Sequence, residues 1–167
     1  FAMDLSKDIV MGHEFCVEIL DHGPGTERTL AAGSRACSVP IVISAGAVDT
    51  VGYSHTAPGG YAERMLLSEA MLLPVPNGLS TDLAALTEPM AVGYHAVEKA
   101  RLEGGEIPLV IGCGPVGLAV IAALKIKGVG PVIAADYSSA RRALAEQLGA
   151  DVVVDPADHS PYESWQT

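Results

Sequence analysis

Two short stretches of this 167-residue chain carry residue types at spacings that can do chemistry. The first is "MGHEF", residues 11–15, where His13 and Glu14 stand side by side just after a glycine. Imidazole and carboxylate are both donors that suit Zn2+, yet two adjacent ligands do not close a metal site. The second is "GCGPVG", Gly112 to Gly117, which fits the G-x-G-x-x-G pattern of dinucleotide-binding turns. Each glycine has a physical reason. Gly112 permits the sharp turn out of a strand, Gly114 lets the backbone approach a pyrophosphate, and Gly117 lets the following helix pack close to the sheet. Pro115 and Val116 fill the variable positions where that helix begins, and its free N–H groups and partial positive charge face the phosphates. Asp136 ends the next apolar run, "PVIAAD". A carboxylate there can accept hydrogen bonds from both ribose hydroxyls and repels a 2′-phosphate, which favours NAD over NADP. Arg141 and Arg142 follow it and could weaken that preference.

These residues need elements to position them. "FCVEIL" (15–20), "VPIVIS" (39–44) and "RMLLS" (64–68) read as strands separated by Gly/Pro turns, and two prolines keep "LLPVPNGLS" (72–80) extended. The pattern then changes. Ser80 is a good N-cap, and Leu83, Leu86, Met90, Val97 and Ala100 fall at helical spacing on one broad stripe. "IPLVIG" (107–112) reads as a strand buried on both faces. It is followed by a helix over 115–128, a strand over 131–136, a helix ended by Gly149 and a strand over 150–156. Strand, helix, strand, helix, strand with short links predicts parallel α/β structure.

Composition narrows the partners. The chain is 49% hydrophobic with only two Phe and one Trp, so its core is aliphatic. A net charge of −10 argues against nucleic acid and anionic membrane as partners. The longest apolar stretch, residues 116–124, stops at Lys125, well short of the roughly 20 residues of a membrane span. Three cysteines with no C-x-x-C pair predict a reducing, cytoplasmic setting and no Cys-rich structural zinc.

The order of blocks, GHE, then "GGYAE" (59–63), then "TEPMAVGYHAV" (87–97), then G-x-G-x-x-G, resembles the zinc-dependent medium-chain alcohol dehydrogenases from Gly12 to about Pro156. Glutamate at Glu88, in the E-P segment, is similar to the polyol and threonine dehydrogenase branch. The resemblance implies part of an irregular β, GroES-like catalytic domain over 1–80 and a connecting helix region over 81–106. It implies the N-terminal half of an NAD-binding Rossmann domain, a doubly wound parallel sheet, over 107–167. It further implies that His13 and Glu88 hold one catalytic zinc, and that Glu14 lies beside the metal and can enter its shell. Gly112, Gly114, Pro115, Val116, Gly117, Asp136 and Arg141 would then hold NAD. A small-molecule alcohol or carbonyl compound would be the substrate, and the parent protein a homo-oligomer.

Three departures qualify this. The family takes a further zinc ligand from a cysteine upstream of GHE, and the residues before His13 contain none. Many members carry a four-cysteine structural zinc lobe between GHE and GGYAE, where this chain has only Cys16 and Cys37, so no structural zinc is expected. The sequence stops just after the third strand of the dinucleotide fold, without that fold's second half, and so reads as a fragment. Two other readings stay open: a zinc-free quinone or enoyl reductase of the same superfamily, and a nucleotide-binding module without catalysis.

Overall fold

The structure, a computed structural model, describes residues 6–44 and 46–162. The chain divides into two compact units, Phe1–Glu88 and Pro89–Thr167. The first contains β1 (Val17–Glu18), β2 (Arg35–Ser38), β3 (Ile41–Ser44), β4 (Ala47–Thr50) and β5 (Leu72–Pro74), then the short helix α1 (Thr81–Ala84). Strands β1, β2 and β5 form an antiparallel sheet with β2 in the centre, and β3 and β4 pair as a hairpin. Pro74 lies opposite Ala36 on the edge strand β5. An edge is where a residue without an N–H does least damage to a ladder.

Local chemistry accounts for much of this unit, and three expectations need correction. The strand expected over 15–20 contracts to two residues. Strands β2 and β4 were not anticipated, because "RACS" and "AVDT" carry no alternating pattern. Residues 64–68 form no strand. Their alternation is real, since Met65 and Leu67 pack on Phe15, Val51 and Ala57 while Leu66 is 71% exposed. Alternation reports one buried face; it does not guarantee a pairing partner.

Helix α2 (Thr87–Ala100) begins at the end of the first unit and continues into the second. Ser80 caps α1 as expected, its Oγ accepting from the Leu83 N–H at 3.3 Å. The anticipated stripe is wrong in part. The helical region breaks at residues 85 and 86, Leu83 and Leu86 are exposed, and the buried face of α2 is Pro89, Gly93 and Val97. Gly93 sets that face: a Cβ there would lie 2.7 Å from Ala119, so two helices approach through a glycine.

The second unit continues as β6 (Leu109–Ile111), α3 (Pro115–Ile126), β7 (Ile133–Ala135), α4 (Ser139–Gln147) and β8 (Val152–Val154). The three strands are parallel in the order β6-β7-β8. Pro115 opens α3, and Gly128, with φ 70, follows its end, the placement expected for each residue. One sheet face packs Val110 and Ala134 against Ile121, Leu124 and Ala145, while Ile133, Ala135 and Val154 cluster separately with Leu109. The expectation that β6 is buried on both faces fails at Ile111, which is 59% exposed.

Candidate metal centre and nucleotide-binding turn

In the first unit the backbone around His13 is built by glycines in direct contact. Gly12 has φ 102, a conformation L side chains rarely adopt. The Gly59 and Gly60 N–H groups donate to Val10 and Gly12 carbonyls at 2.7 and 2.9 Å, and the Tyr61 N–H donates to Met11 at 3.1 Å. A Cβ on Gly59 would sit 2.2 Å from the Gly12 carbonyl oxygen. The Gly-Gly of "GGYAE" thus exists so that its chain can lie directly on "MGHE", with Phe15, Val51 and Ala57 as the apolar floor.

This framework brings together residues far apart in sequence. One ligand atom from each of His13, Glu14 and Glu88 lies within 4.8 Å of the others, a spacing that could hold a metal ion. Glu88 sits in the first turn of α2, where the helix dipole favours a carboxylate. The Tyr53 hydroxyl is 3.2 Å from His13 Nδ1, with the two rings 5.2 Å apart. Nε2 is the nitrogen left for a metal. Sequence reasoning misses Tyr53, since a tyrosine in a Gly-rich loop carries no spacing signature. Among the other histidines, His22 bonds through Nε2 to the Leu30 carbonyl at 2.7 Å and His55 approaches the Asp8 carbonyl.

In the second unit, Gly112 has φ 93 and leaves β6 with its N–H donating to Ala135 at 2.8 Å. A Cβ on Gly117 would lie 1.9 Å from the Gly112 carbonyl oxygen, so no other residue fits there. A Cβ on Gly114 would meet nothing within 4 Å, which leaves its face open to a ligand. Pro115 and Val116 are exposed at the start of α3, whose first-turn N–H groups lack intrahelical partners. The variable residue between the first two glycines, Cys113, is fully buried.

Asp136 follows β7, and its side chain is only 9% exposed. Its Oδ1 accepts from the Ser138 N–H and its Oδ2 from the Cys113 N–H, both at 2.8 Å. These bonds, Ser138 first and then Cys113, hold its carboxyl below the ordinary carboxylate range, with smaller help from Arg141 and Arg142. A carboxylate has about four lone-pair sites, so two remain for hydroxyl donors. The two arginines differ. Arg142 is anchored, donating to the Asp136 and Tyr137 carbonyls at 2.7 and 3.0 Å and pairing with Asp155 at 2.8 Å. Arg141 is 57% exposed and 3.8 Å from Asp136 Oδ2.

The family described as zinc-binding dehydrogenase matches residues 115–167. A (R,R)-butanediol dehydrogenase of Bacillus subtilis is 37% identical over 157 residues, covering 89% of this chain and 45% of the relative. A zinc-binding dehydrogenase from Sinorhizobium meliloti, solved bound to NADP, superposes with a TM-score of 0.83 at 26% identity, over 93% of this chain and 48% of that one. An Escherichia coli alcohol dehydrogenase complexed with NADH gives 0.82 at 26% identity, over 94% and 50%. Most of the chain is similar to zinc-type medium-chain dehydrogenases, with butanediol, threonine and sorbitol dehydrogenases among the matching relatives. It spans about half the length of the curated relatives it matches.

Proposed function

We propose that this chain is part of a zinc- and NAD-dependent oxidoreductase that moves a hydride between a small alcohol or diol and the cofactor. The observation that carries the reading is the convergence of His13, Glu14 and Glu88 to within 4.8 Å beside a Gly-rich loop. One imidazole and two carboxylates form a donor set that suits zinc. When bound, the metal polarises the alcohol oxygen and lowers its pKa. With Nε2 on the metal, His13 Nδ1 would carry the proton and donate it to the Tyr53 hydroxyl oxygen, 3.2 Å away, which would fix the ring. Glu88 supplies a carboxylate from a helix start, and Glu14 stands close enough to enter the shell.

The nucleotide reading rests on the open face at Gly114, the free N–H groups after Pro115 and Val116, and the turn locked by Gly112 and Gly117. Asp136 would take the adenosine ribose hydroxyls with its two unused lone-pair sites and disfavour a 2′-phosphate, so NAD is the proposed cofactor. In this division residues 1–80 belong to the catalytic domain, 81–106 connect, and 107–167 bind the cofactor. A homo-oligomeric, cytoplasmic parent with no nucleic-acid partner fits the family and the charge of −10.

The test is zinc content after dialysis. The chain is expected to retain about one zinc, as a single site requires. His13→Ala should lose it while keeping its circular dichroism spectrum. Equal zinc in the two proteins would remove His13 as a ligand. A zinc-free wild-type chain would mean that these three residues do not hold the metal without the rest of the parent protein, and a zinc-free parent would favour the quinone or enoyl reductase reading or the non-catalytic module.

A further inference from the structure

Strands β1 and β2 are antiparallel, with Val17 opposite Ala36 and Glu18 opposite Arg35. One step further in the same register sets Cys16 opposite Cys37. The Ile19 N–H donates to the Ser34 carbonyl at 2.9 Å, one of the two bonds of a hydrogen-bonded pair, while the Gly33 N–H makes the return bond to the Ile19 carbonyl at 2.8 Å. Alternation along the ladder then makes the Cys16–Cys37 position a non-hydrogen-bonded pair, where Cα atoms come to about 4.5 Å and side chains are closest. That separation lies inside the range a disulfide spans, about 4.4–6.8 Å, at its short end. Cys37 is 5% exposed and Cys16 half-buried, so Cys16 is the member a solute can reach.

We propose that Cys16 and Cys37 form an oxidisable cross-strand dithiol, a site for two-electron oxidants of the peroxide class. The step balances: two S–H bonds break, one S–S bond forms, and both hydrogens and two electrons pass to hydrogen peroxide, which leaves as two waters.

The position gives the bridge a consequence. The Cys37 thiol donates to the Ala84 carbonyl at 3.0 Å, and the Thr87 hydroxyl donates to the same oxygen at 2.7 Å. Oxidation removes the first of these donors from the segment that leads into Glu88. It also pins the strand two residues beyond Glu14. The site itself does not depend on whether a metal binds there.

The experiment is exposure of the reduced chain to hydrogen peroxide, alkylation in denaturant, and peptide mapping. The expected product is a Cys16–Cys37 cross-linked peptide with Cys113 alkylated, reversed by dithiothreitol. Hydrogen exchange over residues 84–88 should be faster in the oxidised chain. Cys16→Ser should give no intrachain bridge. Alkylation of both Cys16 and Cys37 after treatment, an oxyacid on Cys16 without a cross-link, or pairing of Cys37 with Cys113 would each overturn the proposal. Unchanged exchange over 84–88 in a fully bridged chain would overturn the coupling to the Glu88 segment.

Discussion

Tyr53 is the residue that resemblance and spacing both passed over, and its hydroxyl is the partner His13 has at Nδ1. A partner on the non-ligating nitrogen fixes tautomer and ring orientation, and losing it typically costs 10–100-fold in metal affinity. Tyr53→Phe should therefore weaken zinc binding by about that factor in chelator competition, with the fold retained. An unchanged affinity would sink the orienting role. Asp136 makes two predictions. Asp136→Ala should narrow the preference for NADH over NADPH in equilibrium binding, and an unchanged ratio would take it out of the ribose role. Its depressed pKa also fixes a sign. A carboxyl lowered on folding adds stability that is fully present above its unfolded value, about 3.9, and is lost as pH falls through the folded value. Asp136→Asn should flatten the loss of stability below about pH 4 in urea titrations, relative to the parent. An equally steep loss would assign the acid sensitivity to other carboxylates, such as Asp151, which is also held low by the Val132 N–H and Lys125.

At the scale of elements, the second unit was far more legible than the first. Its strands and helices are marked by local chemistry: Pro115 at a helix start, Gly128 and Gly149 past helix ends, and short apolar runs between them. The first unit is held by non-local pairing, and no local signal places "RACS" between β1 and β5 or pairs "AVDT" with β3. The site divides in the same way. The nucleotide turn lies in one contiguous motif, whereas nothing but family resemblance joined Glu88 to His13. The packing yields one direct prediction. Ile121 on α3 is fully buried, so Ile121→Ala should cost about 2–5 kcal/mol in chemical denaturation. A cost below 1 kcal/mol would mean that α3 is not seated on the sheet as described.

The whole molecule consists of two units, and under the proposed function each should answer to its own ligand. Zinc is expected to slow amide exchange around residues 10–14, 59–61 and 87–88, and NADH around 112–118 and 136–138. Zinc protection confined to the nucleotide turn would overturn the assignment. Among the described residues no helix is long and apolar enough to cross a membrane. The mutual contact of Gly12 and Gly59 has a consequence for engineering. The surface that presents His13 is specified by main chain lying on main chain, so residues 10–12 and 59–61 behave as one inherited cassette. A chimera that imports either segment alone from a relative breaks a fitted joint, whereas one that imports both carries the joint with it. Tyr61, 84% exposed beside that joint, is free to vary without disturbing it.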